Sequence, residues 1–402
     1  MGPEAANGGQ LGQASGMDVH AESLDRLRTR TSEKWRAYPD DVLPLFVAEM
    51  DYPLAEPISD ALVAAVRRSD TGYAVRDEAL GEAFAAFAGT RWGWSLDPAM
   101  VSTTTDVSVV LVESLRATIR PGDGVIITPP VYPPFFDIVP EAGGHAVEVP
   151  LLRSDDGEWS LDLEGIERAF AAGARAFLLC NPHNPLGLVH TAEQLTAVAE
   201  LAARFDAIVV SDEIHAPLTH TEAIFTPFLS VSDAARERGI AAHSASKAWN
   251  LAGLKCALFV TASDRMAAVV AGLPFEVRVR TSLFGQIASI AAFAECGDWL
   301  DGTLAAIQQN RDDLTRLLED SVPAVRYRPP SASYLAWLDF RELRWGDDPS
   351  VLALEQGRVA LVGGPHFGRE GSGFARLNFA CAPELLAEAV HRLERVRLGS
   401  PG

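Results

Sequence analysis

The first residue in this chain whose surroundings point to chemistry is a lysine. In Ser244-Ala245-Ser246-Lys247 it follows two serines and an apolar segment. Apolar surroundings lower a lysine's pKa and leave a neutral, nucleophilic amine. The two hydroxyls, with Lys255 eight residues further on, suit a phosphate group. Taken alone, such a lysine is also an ordinary surface residue. Asp212 ends the apolar run 207–212 in Ser211-Asp212-Glu213-Ile214-His215. A buried carboxylate needs a cation or hydrogen-bond donors. A protonated pyridine nitrogen is one such cation, and the pair would keep the ring an electron sink; a cap on the following turn is the other reading. Arg376 lies inside the apolar stretch Phe374-Ala375-Arg376-Leu377-Asn378-Phe379, where it clamps a substrate carboxylate or closes an internal salt bridge.

Three further segments carry weaker signals. Asn181-Pro182-His183-Asn184-Pro185-Leu186-Gly187 has two Asn-Pro steps. These bar helix and force a turn, presenting an Asn amide to a ligand or forming a plain loop. Thr103-Thr104-Thr105-Asp106-Val107-Ser108 leads into a helix over about 107–119. The free N–H groups of that helix start would bind phosphate, although an N-cap explains the same residues. Tyr132, in Pro129-Pro130-Val131-Tyr132-Pro133-Pro134-Phe135, either stacks on a flat ring or belongs to the core.

These residues need elements to position them. Continuous apolar runs at 125–128, 176–180, 207–212 and 256–260 read as strands buried on both faces. Thr191 with Gln194 is a capping box, after which Leu195, Val198, Ala199 and Ala202 mark one helical face. Repeated βαβ units predict an α/β fold, a mostly parallel sheet with helices on both sides. In such sheets ligands bind at the carboxyl ends of strands, where the polar residues above lie. Helical stretches over about 282–319, strands near 334–340 and 374–379, and a helix from about Pro383 read as a smaller α+β domain. The expected organisation is a loose tail over 1–22, a segment over 23–60 joining the small domain, a large domain over 61–285 and a small one over 286–402.

The length allows one large domain plus a smaller one. The chain has 402 residues, 48% of them hydrophobic, and a formal net charge of -20. That charge argues against nucleic acid or an anionic membrane as partner. Cys180, Cys256, Cys296 and Cys381 form no CxxC pair and no zinc spacing. No signal-peptide pattern and no apolar run of membrane-spanning length occur. A reduced, cytoplasmic setting is expected.

In this order and spacing, the motifs resemble the class I/II aminotransferase superfamily, fold type I of the enzymes that use pyridoxal 5′-phosphate (PLP). The chain looks most like the cystathionine β-lyase branch of the MalY/PatB type. The similar segments are Val47-Ala48-Glu49-Met50-Asp51-Tyr52-Pro53, Gly72-Tyr73, 121–123, 131–135, 181–187, 211–215, 246–255 and 376–380. The resemblance runs from about residue 35 to the C-terminus. It implies that Lys247 is the Schiff-base lysine and proton shuttle, that Asp212 binds the pyridinium nitrogen and that Asn184 bonds the ring's 3′ oxygen. His215 would face that same oxygen, and Tyr132 would stack on the ring. Ser244, Ser246 and Lys255, with the N–H groups of Val107 and Ser108, would hold the phosphate. Tyr73 would reach the phosphate of a second subunit, implying a homodimer with shared sites. Arg376 would grip the substrate α-carboxylate, with Asn184 and Tyr132 also lining the substrate.

The chain departs from the family pattern at Asp106, where a glycine is usual; its carboxylate must turn away from the phosphate. It also departs at Leu186, which loses a hydroxyl, at Glu49 and Tyr52, and at Phe225, near which a His is common. The implied reaction is β-elimination from an L-cysteine thioether, either cystathionine or another S-substituted cysteine, a natural-product conjugate included. The products are a thiol, pyruvate and ammonia. An aminotransferase or a decarboxylating deaminase is the alternative on the same scaffold. A non-catalytic binding protein is the reading from another class, against which the complete lysine–Asp–Asn–Arg set argues.

Overall fold

The uninterrupted apolar runs fold as neighbours in one sheet. The computed structural model describes residues 17–75 and 78–399. Its main sheet is built from β1 Val101–Thr104, β2 Gly124–Ile127, β3 His145–Glu148, β4 Ala174–Cys180, β5 Ile208–Asp212, β6 Gly239–His243 and β7 Ala257–Val260. The spatial order is β1-β7-β6-β5-β4-β2-β3. Every residue of β2, β5, β6 and β7 is buried, as continuous apolar patterning requires of strands covered on both faces. The helix Ala192–Arg204 carries the full capping box, and its buried residues are Leu195, Val198, Ala199 and Ala202.

The pairings among β6, β5, β4, β2 and β3 are parallel. β7 alone runs antiparallel, to both β1 and β6, a direction that apolar patterning does not encode. Between β6 and β7, residues 244–256 hold one short 3-10 turn, Ala252–Leu254, and no crossover helix. A parallel return would need such a crossover. The connection therefore stays at one end of the sheet, and Ser244, Ser246, Lys247 and Lys255 all emerge there.

A second sheet, antiparallel throughout, joins Arg326–Tyr327, Leu335–Asp339, Phe374–Asn378 and Val362–Gly363 in that spatial order. The N-terminal segment meets this part of the molecule: Leu43–Pro44 pairs with Val359–Ala360, and the Asp51 N–H bonds the Ala380 carbonyl at 3.0 Å. Two of the expected boundaries fall within ordered structure. Residue 286 falls inside the helix Leu283–Glu295, which packs on Glu56–Arg67 and Glu78–Trp92. Helical periodicity marks a buried face but not its partner. Residues 1–16 of the expected tail lie outside the described residues, whereas Val19, 6% exposed, is already in the core. Gly302 accommodates it, since a side chain there would strike the Met17 carbonyl and Val19. No helix among the described residues is long and apolar enough to cross a membrane.

Candidate active site

Strand ends converge on one edge of the main sheet. Asp106 and Val107 follow β1, Tyr132 follows β2, Asn184 follows β4, Asp212 ends β5, and Ser244 to Lys247 follow β6. Arg376 arrives from Phe374–Asn378 of the second sheet. The Asn181–Gly187 loop meets that second part closely: a side chain at Gly187, whose φ is +58°, would strike Pro330 and the Ala332 carbonyl. Only glycine suits both that conformation and that contact.

The charged groups gathered here lack their usual partners. Arg376 is 6% exposed, yet among the described residues no carboxylate lies within salt-bridge distance. Instead Nη1 donates to Asn184 Oδ1 at 3.1 Å and Nη2 to the Phe46 carbonyl at 3.0 Å. Its Nε has no partner among the described residues, and the guanidinium lies over the Phe367 ring, 5.2 Å from its centroid. The internal salt bridge is thus not what this arginine makes. Asp212 is 4% exposed. One oxygen accepts the Ile214 N–H at 3.2 Å, so the turn-capping reading holds for that oxygen, and no cation among the described residues pairs with the carboxylate. Burial raises its pKa to about 7, against the smaller opposing effects of that N–H and of Lys247.

Lys247 keeps some exposed surface, but the protein packed around it withdraws the amine from water. That desolvation, helped by the charge of Arg376, lowers its pKa to about 8; Asp106, Asp212 and Glu49 act in the opposite sense. Nζ donates to the Ala48 carbonyl at 3.0 Å, and Tyr334 Oη donates to the same oxygen at 3.1 Å. His215 is buried and held by Ser333 Oγ, 3.0 Å from Nδ1. Burial first, then the charges of Lys247 and Arg376, push its pKa down to about 3, so the imidazole is neutral. Tyr132 lies within reach of the charges of Asp212, Arg376 and Asp106, and burial raises its phenol to about 12.

The expected phosphate residues are also neighbours. Ser244 Oγ and Ser246 Oγ are 2.6 Å apart, and Ser244 Oγ donates to the Cys256 carbonyl at 2.7 Å. Val107 and Ser108 open the helix Val107–Thr118. Asp106 turns away from those two N–H groups, as expected, but onto Lys255, with Oδ2 2.6 Å from Nζ. Tyr73 is not brought to the cluster: it stands 100% exposed.

Residues 40–393 match the family model described as aminotransferase class I and II. The chain belongs to that family. Among its relatives, a protein of Mycobacterium tuberculosis is 44% identical over 93% of this chain and 96% of its own length. The cystathionine beta-lyase of Corynebacterium glutamicum is 36% identical over 93% of this chain and 98% of its own. Among solved structures, cystalysin from Treponema denticola, which contains a pyridoxal 5′-phosphate cofactor, superposes with a TM-score of 0.86. It is 25% identical, covering 95% of this chain and 99% of that one.

In this family member several contributors to the site carry no side-chain signal. The segment 46–50 acts through carbonyls: Phe46 holds Arg376, Ala48 holds Lys247, and Val47 and Glu49 accept from Asn378 Nδ2 at 2.6 and 2.7 Å. Behind Asp212, the fully buried Glu213 accepts from Ser211 Oγ and the Phe228 N–H, at 2.9 and 2.8 Å. Its other oxygen faces His243 Nε2 at 3.1 Å. Phe225 packs on Trp92, which stacks on His243; an imidazole thus reaches this layer from β6. Leu186 packs with Trp337, Phe367 and Phe374, an apolar contact where the family pattern has a hydroxyl.

Proposed function

We propose that this chain is a PLP-dependent carbon–sulfur β-lyase that cleaves an L-cysteine thioether to a thiol, pyruvate and ammonia. The observation that carries the reading is the set of unmatched charges in one site. Lys247 and Arg376 have no carboxylate within salt-bridge distance, and the buried Asp212 has no cation, among the described residues. Each complements a different part of the cofactor and substrate. An amine of lowered pKa fits an aldehyde, a lone buried carboxylate fits a protonated ring nitrogen, and a guanidinium with a free Nε fits a carboxylate. The lyase branch is supported by relatives named cystathionine beta-lyase.

When bound, PLP supplies the aldehyde that takes up an amine and the protonated ring that accepts the electrons of a broken Cα–H bond. The protein supplies the rest. Arg376 would fix the α-carboxylate and, with Asn184, the orientation of Cα. The Lys247 amine, freed by the substrate's amine, would take the Cα proton, and the Ala48 carbonyl is placed to hold the resulting ammonium. Asp212 would keep the ring nitrogen protonated. The neutral His215, fixed by Ser333, would offer a polar group without adding charge. Departure of the thiolate from Cβ completes the elimination, and water then hydrolyses the released three-carbon enamine to pyruvate and ammonia.

We also propose a homodimer in which Tyr73 of each chain completes the neighbouring site. In support, Tyr73 and Val75 are 100% and 76% exposed, and the Val75 carbonyl is tied to Gln286 at 3.1 Å. Phe275, 66% exposed, lies on a short helix that Thr104, at the end of β1, anchors through the Val277 carbonyl at 2.7 Å.

The test is to incubate PLP-loaded protein with L-cystathionine and with an S-alkyl-cysteine, without any keto acid, and to measure thiol and pyruvate. Both products are expected. Amino-group transfer that requires a keto acid and releases no thiol would overturn the lyase reading in favour of a transaminase. Replacing Arg376 with lysine should raise KM about 100-fold with a smaller fall in kcat, because the two-pronged grip is lost while a charge remains. Steady-state thiol release checks this, and an unchanged KM would place the substrate carboxylate elsewhere.

A further inference from the structure

We propose that Asp106 sets how tightly the cofactor phosphate is held, by competing with it for Lys255. The inference rests on the PLP reading above and concerns a residue for which that reading has no use. Asp106 precedes the helix Val107–Thr118. An aspartate at that position ordinarily folds its carboxylate back onto the first free N–H groups. Here the side chain makes no such bond, and Oδ2 lies 2.6 Å from Lys255 Nζ.

Two consequences follow for an arriving phosphate. The helix start is left without a side-chain acceptor, so its N–H groups face the anion. The nearby cation, however, already has a resident carboxylate. The pair is partly open to solvent, with the Asp106 side chain 39% exposed, yet Asp106 stays close to the site. Its negative charge reaches both the Lys247 amine and the Tyr132 phenol, raising each. The phosphate would therefore share one cation with a second anion at short range, and like charges repel there. The serines offset this little: Ser244 donates to the Cys256 carbonyl, leaving Ser246 as the donor to Ser244. Asp106 is thus a positioning residue that trades phosphate affinity for an occupied, neutralised Lys255 in the cofactor-free chain.

The experiment compares the cofactor-free wild type with Asp106→Asn and, in case the amide disturbs the helix start, Asp106→Gly. Each is titrated with PLP and with pyridoxal, which lacks the phosphate, and inorganic phosphate is tested as a competitor. Removing a partly exposed like charge should tighten PLP about three- to tenfold. Competing phosphate should bind more tightly by a similar factor, and pyridoxal affinity should stay unchanged. Unchanged or weaker PLP binding in both variants would overturn the proposal, because Asp106 would then be orienting Lys255 toward the phosphate. Equal tightening of PLP and pyridoxal would also overturn it, since the effect would run through the Lys247 amine. A wild type that binds no PLP at all would instead sink the cofactor reading itself, an outcome distinct from these.

Discussion

Replacing Lys247 with alanine is expected to lower thiol and pyruvate release by at least ~10⁴-fold, because the proposed function makes one side chain both the nucleophile toward the cofactor and the base at Cα. The fold should survive. The Ala48 carbonyl keeps its bond from Tyr334, and Arg376 loses a neighbouring positive charge that opposes its own. A variant that unfolds would therefore contradict the geometry as much as one that stays active. The lowered pKa of Lys247, about 8, adds a signature that loss of activity alone does not give. The reactive form is the neutral amine. Labelling of the cofactor-free wild type by an amine-directed reagent should therefore rise at one lysine as pH passes through about 8, while ordinary lysines wait for about 10.4. Peptide mapping should place that label on Lys247. An early-titrating label elsewhere, or none, would remove the argument that the site prepares this amine.

The chemistry was legible where a polar residue interrupts an apolar run. Asp212 at the end of β5 and Arg376 within Phe374–Asn378 stand out because burial of either without a partner is costly. In the structure both are buried. The strands themselves were legible for the same reason, since a continuous apolar run leaves few alternatives to a covered strand. Direction was not: the run that becomes β7 reads the same forwards and backwards, and only the missing crossover helix between His243 and Ala257 fixes it. The carbonyls of Phe46 and Ala48 left no trace either. Any residue type supplies a main-chain acceptor, so only the fold reveals that 46–50 passes across the Lys247 and Arg376 side chains.

The pair of Glu213 and His243 lies between these extremes. Both residues are adjacent in sequence to site residues, Asp212 and Ser244, and alternation along a strand sends them to the opposite face. Their separation of thirty residues hides the contact, which needs β5 and β6 to be neighbours. Glu213 then bonds Ser211 and Phe228 and faces His243 in one buried layer behind the site. That layer is what fixes the strand ends from which Asp212 and Ser244 project. The same logic explains Asp106: the family resemblance implies that its carboxylate would avoid a phosphate, but which cation it reaches depends on β1 lying beside β7.

Asp212→Asn should lower kcat by ~10²- to 10³-fold, the usual cost of removing one preorganised charge from a reacting centre. The substitution is nearly isosteric, and the Asn carbonyl oxygen still accepts the Ile214 N–H that Asp212 Oδ1 accepts now. What disappears is the negative charge that would hold a proton on the cofactor ring nitrogen, and with it the ring's capacity to accept electrons from Cα. Stability separates this role from a structural one, with a sign that can be worked out. Burial raises the Asp212 pKa to about 7 in the folded, cofactor-free chain, against about 3.9 unfolded. The folded state therefore binds the proton more tightly, and stability falls as pH rises from about 4 to about 7. Cofactor-free Asp212→Asn lacks that loss. It should melt at a higher temperature than wild type at pH 8, with the gap narrowing toward pH 4. With PLP bound, the order at pH 8 should reverse or shrink, because the wild-type carboxylate then has its cation. Equal kcat and equal melting curves across this range would leave Asp212 as no more than the cap of its own turn.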